Sequence, residues 1–508
     1  MIIQWLRLLL YTTLPLHYFD ESLVLDNVTI LYDAIVIGND LSSLIAAEVT
    51  SSHGLKTLLL KEGKQPDFYS QSGYTFNIDP SPWSSIGPGY FAINQYLEKD
   101  FFQLNQGFLR PLNPGLQVIL PDHRVDIYRE RERLVREFER EFPDSATLIS
   151  EIYETAWKMG ASFSCYALKK PSVQLGNVLK FSSYIRELTS FFKKNYIFSK
   201  KIRCLKNTTL LRLLETQAFL FAGSQHRIGS IFSMIPYFLC LPLHGICYPL
   251  GGKHLFLLSI KNRFLSQGGI LAQASELKKV EITTDKYNVE WETEFDSNKA
   301  SGKHLIISAK WRGIPLLQDK RFSKVTKRLK SCYDNALFPF TLHIGIMDKG
   351  IPEKMAEYVV VIQDENMSNI QNDIFLEISS RDDFGRAPCG KRALSATRFL
   401  DASPSSLSNE FLHGVASDML LRLEQLFPFV SENIEFMDVE QCISLSRICE
   451  DVVNRKYRIV SNPFTGISIK SNLENVFFAG DENLGLGFVG EVISGVNAGN
   501  QVIGGHRK

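Results

Sequence analysis

The chain has no excess charge of either sign. Its 56 Lys and Arg stand against 55 Asp and Glu, a net of +1, so no global field draws it to nucleic acid and a sequence-independent DNA binder is excluded. No C-x-x-C pair occurs among its eight cysteines. That removes zinc-ribbon and thioredoxin-type dithiol chemistry and fits a reducing, cytoplasmic setting. There is no apolar run long enough to cross a bilayer: Ile2 to Leu16 and Ile231 to Leu243 both fall short of the roughly 20 residues needed, and Pro236 and Pro242 interrupt the second. Internal repeats, low-complexity segments, a metal-ligand cluster and a Ser-His-Asp arrangement are also missing, and the ten histidines, His17, His53 and His244 among them, are scattered. What remains is an ordinary globular balance, 44% hydrophobic and 22% charged over 508 residues. That length suits roughly two to four domains.

Residues 1–30 read as an extension. Trp5, Leu8, Leu9 and Leu16 form a partial apolar stripe that Pro15 limits, so an ordered or frayed arm and a membrane-surface helix both remain open. From Tyr32 the pattern changes. Tyr32 to Ile37 is a β-rich run ending at Gly38; Leu41, Leu44, Ile45 and Val49 then recur at helical spacing up to Gly54, and Thr57 to Leu60 supplies a second strand. This β-α-β unit predicts an α/β fold with a Rossmann-type dinucleotide-binding domain. Pro and Gly clustered from Gln65 to Gly115 predict long ordered loops, and Arg129 to Glu141 an exposed charged helix.

Further along, Leu255 to Phe264 predicts a helix, and Ile270 to Ile282, Val289 to Trp291 and His304 to Ser308 predict strands. Phe338 to Ile346, Tyr358 to Ile362 and Phe375 to Ile378 predict a second, antiparallel sheet, with a helix over Asn409 to Leu426. The apolar stretch at 231–243 is either buried wall or lining for a greasy substrate, with Phe232, Met234, Tyr237, Phe238 and Leu241 as the candidate lining residues.

Between the first strand and helix, a dinucleotide site uses G-x-G-x-x-G so that the pyrophosphate can approach the helix N-terminus. Here the stretch is Gly38-Asn39-Asp40-Leu41-Ser42-Ser43, in which Asp40 and Ser43 stand where the second and third glycines belong. An aspartate at a helix start caps the free N–H groups and already fills the anion position. Facing a diphosphate about 4 Å away it would cost roughly 4 kcal/mol per charge pair at an intermediate dielectric. Cofactor retained, with the carboxylate turned aside, and cofactor lost are both open. After the second strand, Lys61 and Glu62 occupy the region of the acidic ribose ligand.

Two more loops bear on the choice. Tyr248-Pro249-Leu250-Gly251-Gly252-Lys253 precedes a helix, and Asn475 to Asp481 is a strand ending in Gly480-Asp481, followed by Gly485, Gly487 and Gly490 and a helix from about Glu491 to Val502. Three such loops in this order resemble the phytoene desaturase and retinol saturase group of flavoproteins, from about Tyr32 to Gly504. The resemblance implies FAD, with Gly38, Asp40, Leu41 and Ser42 near its pyrophosphate and Lys61 or Glu62 near the ribose. It places Val280 near the adenine, and Gly480, Asp481, Gly490 and Glu491 near the ribityl chain and flavin. It also implies hydride exchange with an apolar isoprenoid- or carotenoid-like substrate, and hence peripheral contact with a membrane surface.

On this reading the FAD-binding domain is discontinuous, built from residues 31–110, 240–315 and 440–508. Residues 111–239 and 316–439 form a substrate domain of mixed antiparallel sheet and helices. The first β-α-β unit also resembles the Rab GDP-dissociation inhibitors, which implies the alternative of a non-catalytic carrier of prenyl or lipid groups that has lost FAD.

Overall fold

The computed structural model describes residues 30–84, 109–169, 178–226, 233–283, 286–310, 323–364, 370–453, 455–458, 466–471 and 473–506. The N-terminal arm and Phe232 lie outside these residues.

The first strand, Ile30–Ile37, is rich in β-branched residues, and its second half is buried on both faces. Ala34 and Val36 enter one hydrophobic core while Ile35 and Ile37 enter another. Such a run of apolar residues without alternation is the signature of a parallel strand covered on both sides. It pairs in parallel with Thr57–Glu62 and with Ser297–Ser308, in the register Ala34 to Thr57 and Ile37 to Ile307. Ile270–Ala274 extends the sheet beyond Thr57–Glu62. On the other side Val476–Ala479 pairs in parallel with the end of Ser297–Ser308, and the antiparallel strands Tyr287–Glu292 and Glu276–Ile282 follow its beginning. The sequence reads 270–282 as one strand, but the chain breaks at Ser275 and its two halves join opposite margins of this seven-stranded sheet.

The helix Leu41–Ser52 packs against the C-terminal helix Phe488–His506 at very short range. A Cβ on Gly495 would lie 2.5 Å from Ser42 O, and one on Gly499 2.7 Å from Val49 Cγ1. Those glycines serve helix contact. The two ends of the chain's described part are therefore wedded in one layer.

The second sheet has eight strands. Its main path runs Ile434–Met437, Ala336–Met347, Lys391–Leu400, Ile374–Ile378, Tyr358–Val361, Leu116–Ile119, Arg124–Ile127, and the short strand Lys456–Tyr457 pairs with Ala336 and Leu337. All pairings are antiparallel except that of Tyr358–Val361 with Leu116–Ile119. One face, with Phe340, Leu342, Ile344 and Leu376, is covered by Asn409–Leu426 and Val439–Ile448. The other face brings Thr341, Thr397 and Phe375 side by side, because each is the register partner of the next.

Between the sheets, the expected loops from Gln65 onward contain more regular structure than their Pro and Gly content suggests. Phe68–Gln71 and Tyr74–Asn77 form a hairpin about Ser72-Gly73, both at positive φ, and bury Tyr69, Tyr74 and Phe76. Trp83–Ser84 and Leu109–Pro111 flank Ile246–Pro249 in a three-stranded sheet. The apolar stretch at 231–243 becomes the helix Ile235–His244, buried from Ile235 to Leu243, against which the helix Ala146–Lys169 comes close enough that a Cβ on Gly160 would strike Cys240 Sγ. Met234, Tyr237, Phe238 and Leu241 are at most 1% exposed and belong to the main core. None of the described helices is long and apolar enough to cross a membrane.

Candidate functional site

At the carboxyl end of the first strand, Gly38 (φ +156°) leads into Asp40, which caps the first helix. The Asp40 carboxylate is turned onto its own helix. Oδ1 accepts from Ser43 N at 3.0 Å and from the Ser43 hydroxyl, and Oδ2 accepts from Ser42 Oγ and Ser308 Oγ, each at 2.9 Å. Asp40 and Ser43 thus replace two glycines with a buried polar plug, and four donors stabilise its charge. Asn39 clips this turn to the second strand, donating to Glu62 O at 2.6 Å and accepting from Glu62 N at 3.1 Å.

A cleft opens beside this turn. It encloses about 780 Å³ counted to its mouth and is lined by Asn39, Asp40, Leu41, Lys61, Gln65, Asp67, Asn77, Ile78, Asp79, Trp83, Lys253, Phe488 and Glu491, among others. Leu41, Lys253 and Phe488 are the first residues of three helices, so three positive helix ends converge on one space. Lys253 is one of its walls. Its backbone N–H donates to Asn77 Oδ1 at 2.8 Å, and its ammonium to Asp79 O at 2.5 Å and to Ser81 O. No carboxylate among the described residues forms an ion pair with it within 4 Å. Burial pushes its pKa down, against the pull of Asp79 and Glu377. Burial also works to raise the Asp79 carboxyl, but the charge of Lys253 and two hydrogen bonds from Ser81 outweigh it and hold Asp79 below the usual carboxylate range. Lys310 is buried against Glu491. Burial opposes its charge, yet Glu491, Glu482 and Asp40 together raise its pKa.

Through Ile78 and Asp79, which line both, the cleft adjoins a second, small and partly open cavity beside the second sheet. Its walls are mostly apolar: Leu220, Pro339, Val359, Phe375, Leu376, Phe399 and Val453, with Tyr358, Thr341, Thr397 and Lys456 between them.

No family model matches the chain. It is 24% identical over 444 residues to the chloroplastic prolycopene isomerase of Arabidopsis thaliana, covering 80% of the chain and 71% of that protein. It is 23% identical over 438 residues to that of Daucus carota, covering 80% and 69%. Among solved structures, an oxidoreductase from Methanosarcina mazei superposes with a TM-score of 0.53 at 12% identity, covering 94% of this chain and all of that one. Cyclohexylamine oxidase from Brevibacterium oxydans gives 0.53 at 11%, with the same coverage of 94% and 100%. The chain has the fold of these oxidoreductases. Its likeness to the phytoene desaturase group is not confined to three loops.

Of the residues singled out by sequence, Asp40, Leu41, Lys61 and Glu491 line the cleft. Gly38, Ser42, Gly480, Asp481 and Gly490 do not line it. The space a Cβ would need at Gly38, Gly480 and Gly490 is taken by Ser43, Glu482 and Asp481 respectively, so these glycines are required by the chain's own packing. Asp481 is buried, accepts from Leu486 N at 2.7 Å, and has its pKa pushed up by burial and by Glu482 and Glu491. Glu62 directs its carboxylate to Leu277 N at 2.9 Å, and Val280 is buried in the core behind the first sheet. Met234, Tyr237, Phe238 and Leu241 line neither cavity.

The residues that sequence reasoning missed are Asn77, Asp79, Lys253, Tyr358 and Lys456. Lys253 was within reach, as the last residue of the Y-P-L-G-G-K loop. That loop is held by Asp383, which accepts from Gly251 N at 3.0 Å and from the Tyr248 hydroxyl at 2.6 Å. The others lie on short strands or turns with no local signature.

Proposed function

We propose that the chain is an FAD-dependent oxidoreductase of the phytoene desaturase type that handles an apolar, isoprenoid-like molecule. The observation that carries this is a cleft bordered by three helix starts beside an apolar cavity on the neighbouring sheet, with Ile78 and Asp79 in the walls of both. The donor set fits an elongated, partly anionic cofactor. Asp40 is hydrogen-bonded by hydroxyl and amide donors and Glu491 is paired with Lys310, whereas the Lys253 ammonium is bonded only to carbonyls. Lys253 and the three helix starts would hold the anionic part, and the stacked rings of Trp83 and Phe488, 4.9 Å apart, would offer an apolar shelf.

When bound, FAD supplies the hydride acceptor or donor. The chain's own residues orient the partner molecule and exclude water: Leu220, Phe375, Phe399 and Val453 wall an apolar space next to the cleft. The likeness to prolycopene isomerases supports a polyene-like substrate, and a molecule that apolar would be taken up at a membrane surface. A visible absorption spectrum tests the reading. Flavin bands in the purified or FAD-reconstituted protein are expected, and a protein that stays colourless in excess FAD would refute it.

A second reading is favoured by Asp40, whose buried carboxylate occupies the helix end where a diphosphate would sit. In that case the apolar cavity serves a flavin-free carrier. The same spectrum separates the two.

A further inference from the structure

The helix Val178–Cys204 has one side in the core and another, from Thr189 onward, that carries cations and no acid. Phe191, Phe198, Ile202 and Leu205 are buried, and Asn195 Nδ2 on the same side donates to Ser233 O at 3.0 Å. The outer side exposes Lys193, Tyr196, Ile197, Lys200 and Arg203. Their spacing of three and four residues makes them neighbours on one face, with Tyr196 and Ile197 one turn from both lysines. No Asp or Glu occurs between Glu187 and Glu215. Lys201 turns aside to Glu151 of the helix Ala146–Lys169 at 2.8 Å, whereas Lys193 and Lys200 form no ion pair among the described residues. Tyr196 and Ile197 are 63% and 44% exposed. A single apolar residue on a surface needs no explanation, but an adjacent aromatic and branched aliphatic framed by cations form a distinct chemical surface.

We infer that this helix face docks the chain on an anionic lipid bilayer. The net charge is only +1, so a preference for a negative surface has to come from a local face such as this one. Each cation held near an anionic leaflet adds attraction. The lysine stems lie along apolar neighbours while their charges stay among the headgroups. Tyr196 sets a ring at headgroup level, and Ile197 reaches the acyl boundary. Ile197 also decides between a bilayer and a hydrophilic polyanion, since an aliphatic side chain gains nothing beside phosphates in water. The inference deepens the proposed handling of an apolar molecule, which bilayers store; it rests on that reading for its purpose and on the helix for its observations.

The test is co-sedimentation of the full chain with vesicles of phosphatidylcholine alone or mixed with phosphatidylglycerol. Binding is expected only to the mixed vesicles and should fall as salt is raised. The double variant Lys193→Gln with Lys200→Gln should partition about 25-fold less, at roughly fivefold per cation near the surface. Tyr196→Ser with Ile197→Ser should lose about tenfold. Lys324→Gln with Lys327→Gln removes the same charge from exposed positions of another helix, Ser323–Asp334, and should stay within about twofold of the wild type. All six positions are at the surface, so the melting temperatures should not move.

No sedimentation with either vesicle, equal sedimentation with both, or a loss in the Lys324 and Lys327 variant as large as that in the Lys193 and Lys200 variant would overturn the inference. So would binding that heparin abolishes but the Tyr196 and Ile197 variant retains in full, the mark of a general polyanion site. A chain that self-associates without vesicles and comes apart in that variant would put a second copy on this face and overturn it too. The absorption spectrum of the same sample keeps the two proposals apart. A colourless protein that binds the mixed vesicles supports this inference while ending the oxidoreductase reading, and a yellow protein that binds neither does the reverse.

Discussion

Ser308, the last residue of a central strand, donates its hydroxyl hydrogen to Asp40 Oδ2 at 2.9 Å and so ties that strand to the cap of the first helix, 268 residues earlier in the chain. The bond fixes the direction of the carboxylate. Asp40 is held as a cap and cannot swing away from the helix axis without abandoning Ser42, Ser43 and Ser308 together.

Asp40→Asn therefore separates charge from shape. The amide retains an acceptor for Ser43 N, and asparagine caps helices about as well as aspartate, but its Nδ2 donates where Oδ2 accepted, so the Ser42 and Ser308 hydroxyls must turn to accept and the melting temperature should fall modestly. Removing the negative charge from the helix start should tighten FAD by about tenfold or more, given the several kcal/mol of repulsion that a neighbouring diphosphate would meet. Equilibrium titration with FAD, followed by flavin fluorescence, checks this. Unchanged or weaker binding would mean that no diphosphate approaches this turn.

Gly490→Ala probes the last loop. The new methyl group would collide with Asp481 Oδ1, which accepts from Leu486 N at 2.7 Å, and Asp481 lies equally tight against Gly223. Neither neighbour has room to move. A loss of about 2 to 4 kcal/mol is expected, from overpacking and a broken buried hydrogen bond, measured by urea unfolding in the absence of FAD. Gly480→Asp should behave similarly, its side chain competing with Glu482 for the same space. Flavin loss in either variant would then follow from unfolding of the loop, and a variant that is fully stable yet flavin-free would show that the glycine faces the ligand.

The order of the fold was legible where a strand or helix carries its own signal. Asn409–Leu426 was read to the residue, and the first two parallel strands were recognised as β-rich runs, Tyr32 to Ile37 and Thr57 to Leu60, on either side of a helical spacing. The site was legible only in part. Asp40 and Lys61 sit next to a local motif, whereas Tyr358 and Lys456 reach the cavity wall through the pairing of distant strands, which no spacing in the sequence encodes. The stretch from Ile235 to Leu243 misled in the opposite way. Its composition suits a greasy pocket equally well, and only the close approach of Gly160 to Cys240 shows that the space is filled.

Arg386 and Glu377 form a fully buried pair, Nη1 to Oε1 at 3.0 Å, and Glu377 Oε1 also accepts from Asn77 Nδ2 at 2.6 Å. Asn77 in turn orients Lys253. Arg386→Met would leave the carboxylate buried without its cation and should cost about 3 to 5 kcal/mol. The double change Arg386→Met with Glu377→Leu should recover a large part of that loss, since both charges then disappear. Denaturant unfolding of the two single variants and the double variant gives the coupling directly. Additive losses would mean that the pair acts through packing alone.

Lys456 should leave a mark on the pH dependence of stability. Burial lowers its pKa from 10.5 to about 8, against the opposing pull of Asp79 and Asp481. Between those values the unfolded chain holds this proton more firmly than the folded one, so unfolding takes up a proton and the folded state gains as pH rises. Below about 8 the full cost of a buried ammonium is present; by about 10.5 it has been relieved, a change of roughly 3 kcal/mol for the whole window. Lys456→Met removes that gain. Subtracting the variant's unfolding free energy from that of the wild type at each pH from 7 to 10 cancels the other titrating groups, and the difference should climb steadily in favour of the wild type. A flat difference would place the Lys456 ammonium in contact with water and remove it from the cavity wall.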